Sequence, residues 1–365
     1  MQRRSFLKQA SLGAVAGTAT VAAPAFAQDT PTLNWRMPTS FPRSLEALFG
    51  SGEMLCRYVS EATGGKFNIR AFPGGELVPA LGVLDAVENA TVECGQTVSY
   101  YYFGKNPALC FDAAVPFGLN ARQMNAWMFQ GDGMKLTREM FKAYNIVNFP
   151  MGNTGVQMGG WFRNEIKSLN DLKGLKMRTA GFAGEVLSRL GVVPQQLAGG
   201  DVYPALEKGT LDAVEFVGPY DDEKLGFNKV AKYYYYPGWW EGGPQISLYV
   251  HEAAWNGLPK SYQTVLEAAS RVALVETLSR YDAWNPPAMR KLIAGGAQLR
   301  AFPREVMDAS WDAATTVYKE FCDKDPKFKA MYDNYMSFRD SSVPWFRVAE
   351  GSYDQYLSAA LARSR

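Results

Sequence analysis

Three charged residues stand where charge is costly. Arg178 closes the short run Leu175–Arg178, just ahead of a turn containing Gly181 and Gly184. Its planar guanidinium offers two parallel donors that match the edge of a carboxylate. Glu215 comes at the end of the apolar run 211–216, and Glu241 follows Trp239 and Trp240. Carboxylates in apolar settings are rarely left without partners. Three chemistries suit them: an acid/base pair, oxygen ligands for a hard metal ion, or buried structural ion pairs. Tyr101 and Asn153 are candidate polar contacts for a ligand. Tyr100–Tyr102 reads as a half-buried strand, and Tyr233–Tyr236 with Trp239 as core and cleft wall. Trp240 is the member of that aromatic block with reach to a ligand.

Much enzyme chemistry is excluded. His251 is the only histidine. That removes HExxH zinc sites and, unless His251 itself is the base, every Ser-His-Asp or Cys-His arrangement. It reads as a surface or loop residue. No Gly-x-x-x-x-Gly-Lys-[Ser/Thr] segment cradles phosphates, and no Gly-x-Gly-x-x-Gly follows the first strand pattern. Cys56, Cys94, Cys110 and Cys322 form no Cys-x-x-Cys pair, so one disulfide and four buried thiols both fit. A carboxylate-only hydrolase or lyase built on Glu215 and Glu241 stays open.

The chain opens with Arg3-Arg4-Ser5-Phe6-Leu7-Lys8, a small apolar stretch, and Ala25-Phe26-Ala27. This is a twin-arginine export signal with a small-x-small cleavage site near Ala27. Without Arg3, Arg4 and Lys8 the 38 basic residues fall to one fewer than the 36 acidic ones. Nucleic acid and anionic membrane surfaces are therefore not expected partners. Later in the chain no apolar run is long enough to span a bilayer.

Leu33, Trp35 and Met37 alternate with polar residues as a strand does, and Phe67, Ile69 and Ala71 do so again. Between them, Leu45, Leu48, Leu55, Val59 and Ala62 give a helical face. This β-α-β unit implies a parallel pair with a right-handed crossover. The pattern recurs with a helix near 79–89 and strands near 92–98, 146–149, 159–162, 175–179 and 211–216. Helices are expected at 184–190 and 204–208. A long amphipathic helix runs from Lys260 to Trp284, ended by Asn285-Pro286-Pro287. Most of 305–362 reads as helical. The fold class is α/β, with two lobes, no loose linker, and hence a hinge and a central cleft.

Several blocks together resemble a known family. They are Thr39-Ser40-Phe41-Pro42, Gly74-Gly75-Glu76-Leu77, the run from Gly152 to Phe162, Leu175-Lys176-Met177-Arg178, Pro194-Gln195-Gln196, the run from Gly199 to Gly209, and the run from Val217 to Asp222. The most specific is Tyr233–Pro244, with its Trp239-Trp240-Glu241 core. The set is similar to solute receptors of tripartite ATP-independent periplasmic (TRAP) transporters, in the branch that binds α-keto acids.

The resemblance implies a periplasmic-binding-protein fold and a periplasmic, non-catalytic receptor working with membrane subunits of a transporter. Lobe I is expected at 28–149 and about 242–260, and lobe II at 150–241. The long spanning helix and the C-terminal helices take about 261–365. The ligand is a pyruvate-like 2-oxo monocarboxylate; lactate, a longer keto acid or a dicarboxylate are alternatives. A sensory binding protein for a receptor kinase is another reading. Arg178 is implied as the carboxylate clamp, with Tyr101, Asn153 and Gln157 near substrate oxygens. Glu215, Glu241, Gln157 and the backbone carbonyl of residue 216 are implied as metal ligands. Tryptophan is expected at 216 in this branch, where the present chain has Phe216.

Charge counting favours a cation. Arg178 is outnumbered by Glu215, Glu241 and the ligand carboxylate, and unit charges about 4 Å apart near a protein surface repel by roughly 4 kcal/mol. Sodium leaves one negative charge uncancelled, and calcium none. Oxygen-only ligands suit both ions. The branch also suggests a homodimer through the C-terminal segment.

Overall fold

Strands form where apolar residues such as Trp35, Met37, Phe67 and Ile69 can be buried between neighbouring elements. The computed structural model describes residues 30–364, so the export signal and its cleavage site at Ala27 lie outside the described residues. Strands β1 (Leu33–Pro38) and β2 (Phe67–Phe72) pair in parallel, joined by the helix Leu48–Ala62. Strands β3 (Cys94–Thr97), β4 (Ile146–Asn153) and β10 (Gln245–His251) make an antiparallel sheet with β10 in the middle. The remaining strands form a six-stranded mixed sheet in the order β11-β9-β5-β8-β6-β7. They are β5 (Gly160–Phe162), β6 (Lys176–Arg178), β7 (Val193–Gln195), β8 (Ala213–Val214), β9 (Tyr233–Tyr236) and β11 (Gln298–Ala301). The chain passes between the two sheet systems at 154–159 and again at 237–244.

The long helix, Lys260–Ala294, packs on β4, on the helix Leu48–Ala62 and on the helix Pro219–Leu225, and so touches both halves. It does not stop at Asn285-Pro286-Pro287 as the sequence suggests. A proline inside a helix costs about 3 kcal/mol or more through a lost hydrogen bond and a clash. Contacts beyond the prolines offset this: Ala288 and Leu292 are buried, and Lys291 reaches Glu223 at 2.5 Å. At the break, the Asn285 side chain accepts the Tyr220 backbone N–H at 3.0 Å. The helix expected at 204–208 starts earlier, at Gly199, and the strand expected over 211–216 pairs only at Ala213–Val214.

Residues 99–102 form a buried 3-10 turn rather than the expected half-buried strand. The Tyr102 hydroxyl folds the segment back by bonding Thr97 Oγ1 at 2.8 Å and accepting the Leu84 N–H at 3.1 Å. All four cysteines are free thiols. His251 ends β10, where its Nδ1 accepts the Ala253 N–H at 3.2 Å and caps the next helix.

Candidate functional site

Arg178 is the last residue of β6, and its guanidinium turns inward between the two sheet systems. The residue is 2 % exposed. Nη1 donates to Glu215 Oε1 at 2.6 Å and to the Glu215 carbonyl at 2.7 Å, and Nε reaches the Leu197 carbonyl at 3.4 Å. The ring of Phe216 lies 5.2 Å from the guanidinium carbon. Short strand β8 brings this about: its pairing with β6 places Glu215 just past Val214, beside Arg178. Phe216 thus sits where the branch pattern expects tryptophan, and still faces the arginine.

Glu241 arrives on the other crossing segment. Gly238 N–H donates to the Gln157 carbonyl at 3.0 Å, and Gln157 N–H donates to the Glu241 carbonyl at 3.1 Å. These bonds zip 155–158 to 237–241. The approach requires glycine at 238, because a Cβ there would lie 2.7 Å from the carbonyl oxygens of both Gln157 and Met158. Gln157 Nε2 donates to Thr154 Oγ1 at 3.2 Å. Glu215 and Glu241 act directly on the Arg178 charge, and Gln157 and Phe216 line one cavity. Gln157 Oε1, Glu215 Oε2 and Glu241 Oε2 are each buried and have no hydrogen-bond partner in the protein.

The electrostatics follow from burial. Glu215 is pushed up to about 7, chiefly by burial; Arg178 opposes this and Asp222 adds to it. Glu241 is pushed well above the carboxylate range, first by burial and then by Glu215, while Arg178 and a hydrogen bond from Tyr100 act the other way. Arg178 also feels burial most strongly, but Glu215, Tyr101, Tyr100 and Glu241 hold it charged, above its ordinary value. Burial thus works against the charged form of both carboxyls and Arg178 works for it; a cation placed among them would favour the charged forms further. The unpartnered atoms are all oxygens, which fits a hard ion such as sodium or calcium and gives nitrogen- or sulfur-preferring metals no ligand. No group of three His, Cys, Asp or Glu able to hold a metal occurs among the described residues. The third unpartnered oxygen belongs instead to an amide, that of Gln157.

The other sequence candidates fall differently. Tyr101 is buried and lines the cavity, and its hydroxyl is close enough to Arg178 to be drawn down by it against the upward push of burial. Asn153 is fully buried, with Nδ2 donating to the Gly243 carbonyl at 2.8 Å and Oδ1 accepting the Gly155 N–H at 2.8 Å. Its amide ties the two crossing segments together. Trp240 is 1 % exposed, packs against Trp239 with ring centroids 4.8 Å apart, and has an unpartnered Nε1. Tyr100, read from sequence as an ordinary strand residue, belongs to the site through Glu241. Asp222 was missed; it acts on Glu215 from behind, accepting from Tyr234 at 2.6 Å and Trp161 at 3.1 Å. The cavity next to these groups, lined by Tyr100, Tyr101, Gln157 and Phe216 and not by Arg178, Glu215 or Glu241, is nearly closed, with a volume of about 10 Å³, about room for one water. Phe41, Leu48, Val98 and Ile246 give it an apolar wall.

Comparison with known proteins places this geometry in context. Residues 42–325 match the model of the bacterial extracellular solute-binding proteins, family 7. A "monocarboxylate 2-oxoacid-binding periplasmic protein" of Nostoc sp. is 48% identical, covering 99% of this chain and all of that protein. A TRAP transporter solute-binding protein from Bordetella bronchiseptica is 56% identical with a TM-score of 0.91. The match covers 92% of this chain and 100% of that one, a dimer with co-purified calcium and picolinate in one site and the other site apo. A TRAP periplasmic solute-binding protein from Pseudoalteromonas atlantica, with bound sodium and pyruvate, is 35% identical, with a TM-score of 0.86. That match covers 89% of this chain and 99% of the other.

Proposed function

Since the chain belongs to family 7 of the bacterial extracellular solute-binding proteins, we propose that it is the periplasmic receptor of a TRAP transporter and captures a pyruvate-like 2-oxo monocarboxylate together with sodium or calcium. The observation that carries this reading is the trio of buried, unpartnered oxygens on Gln157, Glu215 and Glu241 beside the buried charge of Arg178. Those three side chains, with the carbonyl of Phe216, would hold the ion. Bound there, the ion cancels the negative charge that otherwise opposes an anionic ligand. The Arg178 fork takes the ligand carboxylate, and Tyr101 lies within reach of its oxygens. The apolar wall of Phe41, Leu48 and Ile246 accepts a short alkyl group.

Pyruvate and picolinate, the ligands of two relatives, share one feature. Each carries a donor on the carbon next to its carboxylate, so each can chelate an ion through a five-membered ring. A plain monocarboxylate lacks that second donor, and selectivity follows the α-substituent. We further propose that the export signal is of the twin-arginine type and that no bond is made or broken. The segments 28–149 and about 242–260 move as one lobe against 150–241 during capture, and membrane subunits read the closed shape. Dimerisation would use the C-terminal helix Ser352–Arg363, which buries none of its residues and exposes Tyr353, Tyr356 and Leu361. Calorimetric titration with pyruvate, lactate and propionate, with and without a chelator, tests the reading. Metal-dependent binding of pyruvate and none of propionate is expected; chelator-insensitive binding, or turnover of the ligand, would overturn it.

A further inference from the structure

We infer that the groove between the helix Gly133–Phe141 and the long helix Lys260–Ala294 is a second ligand site, built around Arg138 for a small organic oxoanion with an apolar body. The groove has a volume of about 460 Å³, within the roughly 300–1,000 Å³ usual for small-molecule sites. It shares no residue with the closed cavity lined by Tyr101 and Gln157, and Arg178, Glu215 and Glu241 do not line it.

The charges in it do not balance. Arg138 is half-buried, with its guanidinium carbon 4.5 Å from the centre of the Phe149 ring. Its Nε donates to the Asn148 carbonyl at 3.0 Å. Among the described residues neither of its terminal nitrogens has a hydrogen-bond acceptor, and it has no ion pair. Lys135 precedes it by three residues on the same helix face and is likewise unpaired. Like charges at that spacing repel, which destabilises a helix unless something else compensates. Glu267 is the acid lining the groove, and it bonds Arg271 at 2.8 Å. Three cations therefore line the groove with one carboxylate, Glu267; Glu267 and the buried Asp112 behind the groove both attract Arg138, and its terminal nitrogens keep unused donors.

The walls are as informative as the charges. Met128, Phe129, Met134 and Phe149 line the rest, and Arg271 lies over the Phe129 ring at 5.0 Å. A bare inorganic anion would leave these surfaces wet. An aromatic or branched carboxylate places its charge on the planar fork, which matches it with two donors, and its body between thioethers and rings.

Benzoate is a suitable probe, with benzyl alcohol as its uncharged counterpart. The mature protein, labelled with 13C-methyl methionine and saturated with calcium and pyruvate, is titrated while methyl resonances are followed. Saturable shifts of the Met128 and Met134 methyls are expected with benzoate. Benzyl alcohol should bind roughly tenfold or more weakly, because it cannot make the charge-assisted bonds. Arg138→Gln should weaken benzoate by a similar factor, Lys135→Gln by less, and Glu267→Gln should strengthen it, all with pyruvate binding intact. Lys135 is exposed, so its variant reads the charge effect even if Arg138→Gln folds poorly. Unmoved Met128 and Met134 methyls, equal affinity for the alcohol, or charge variants that bind benzoate like the parent would each overturn the inference.

Discussion

Replacing Glu241 by glutamine separates the two things this carboxyl does. In the ligand-free protein it is pushed well above the carboxylate range by burial and by Glu215. A raised acid binds more protons folded than unfolded. Its contribution to stability therefore falls as pH rises above the unfolded value of 4.5. Glutamine resembles the protonated acid in shape and removes that penalty. The ligand-free variant should melt at the parent's temperature in mild acid and at or above it near pH 8. Ion binding should respond in the opposite sense. A carboxylate oxygen about 2.4 Å from a divalent ion attracts it by about 14 kcal/mol at an effective dielectric constant near 20, and a monovalent ion by half of that. The carboxyl must first lose its proton and the ion its water, which cancels most of this gain. What remains is typically about 2–5 kcal/mol for a truncated buried charge contact. Calcium and pyruvate affinity should thus fall roughly 30- to 4,000-fold. Thermal scans across pH, paired with calorimetry, measure both effects. A variant that loses several degrees near pH 8, or binds calcium as the parent does, would refute the reasoning.

Three further outcomes follow from the same geometry. Arg178→Lys keeps the charge but loses the planar guanidinium, whose Nη1 alone bonds both the carbonyl and Oε1 of Glu215, so pyruvate affinity should drop about tenfold or more by calorimetry; an unchanged affinity contradicts the clamp. Gly238→Ala drives a Cβ to 2.7 Å from two carbonyl oxygens; urea titration should show a loss of about 1–3 kcal/mol with weaker ion binding, and unaltered stability would mean the crossing segments are not tightly zipped. Asp112 is raised from 3.8 to about 7 by burial, against hydrogen bonds from Ser247 and Asn148. The folded state therefore holds its proton across that window, and stability should decline as pH rises from about 4 to about 7. Asp112→Asn should flatten this decline in pH-dependent melts, and an equally steep decline in the variant would assign the effect elsewhere.

Much of the site was legible because charge in an apolar run is conspicuous. Arg178, Glu215 and Glu241 stand out by type and setting, and the structure brings all three together. Two-residue periodicity found β1 and β2, where apolar residues such as Trp35, Met37, Phe67 and Ile69 are buried and the residues between them are not. What failed were features decided by partners distant in the chain. Pro286 and Pro287 read locally as a stop, yet packing of Ala288 and Leu292 carries the helix on to Ala294. Tyr100–Tyr102 has strand composition, but Tyr102 bonds to Thr97 and Leu84 make it a turn. Asp222, which acts on Glu215, entered the sequence reading only as the end of the Val217–Asp222 block. Nothing local says that its carboxylate is buried against Trp161 and Tyr234. Asn153 was legible as polar and near the site, while its bonds to Gly243 and Gly155 needed the two crossings to be seen side by side.

A crystal structure of the protein grown with calcium and pyruvate tests the central claim most directly. Calcium should be coordinated by Gln157 Oε1 and by the Glu215 and Glu241 carboxylates, with the pyruvate carboxylate on the Arg178 guanidinium. Pyruvate bound with no ion beside those three oxygens, or an ion and ligand seated away from Arg178, would contradict it.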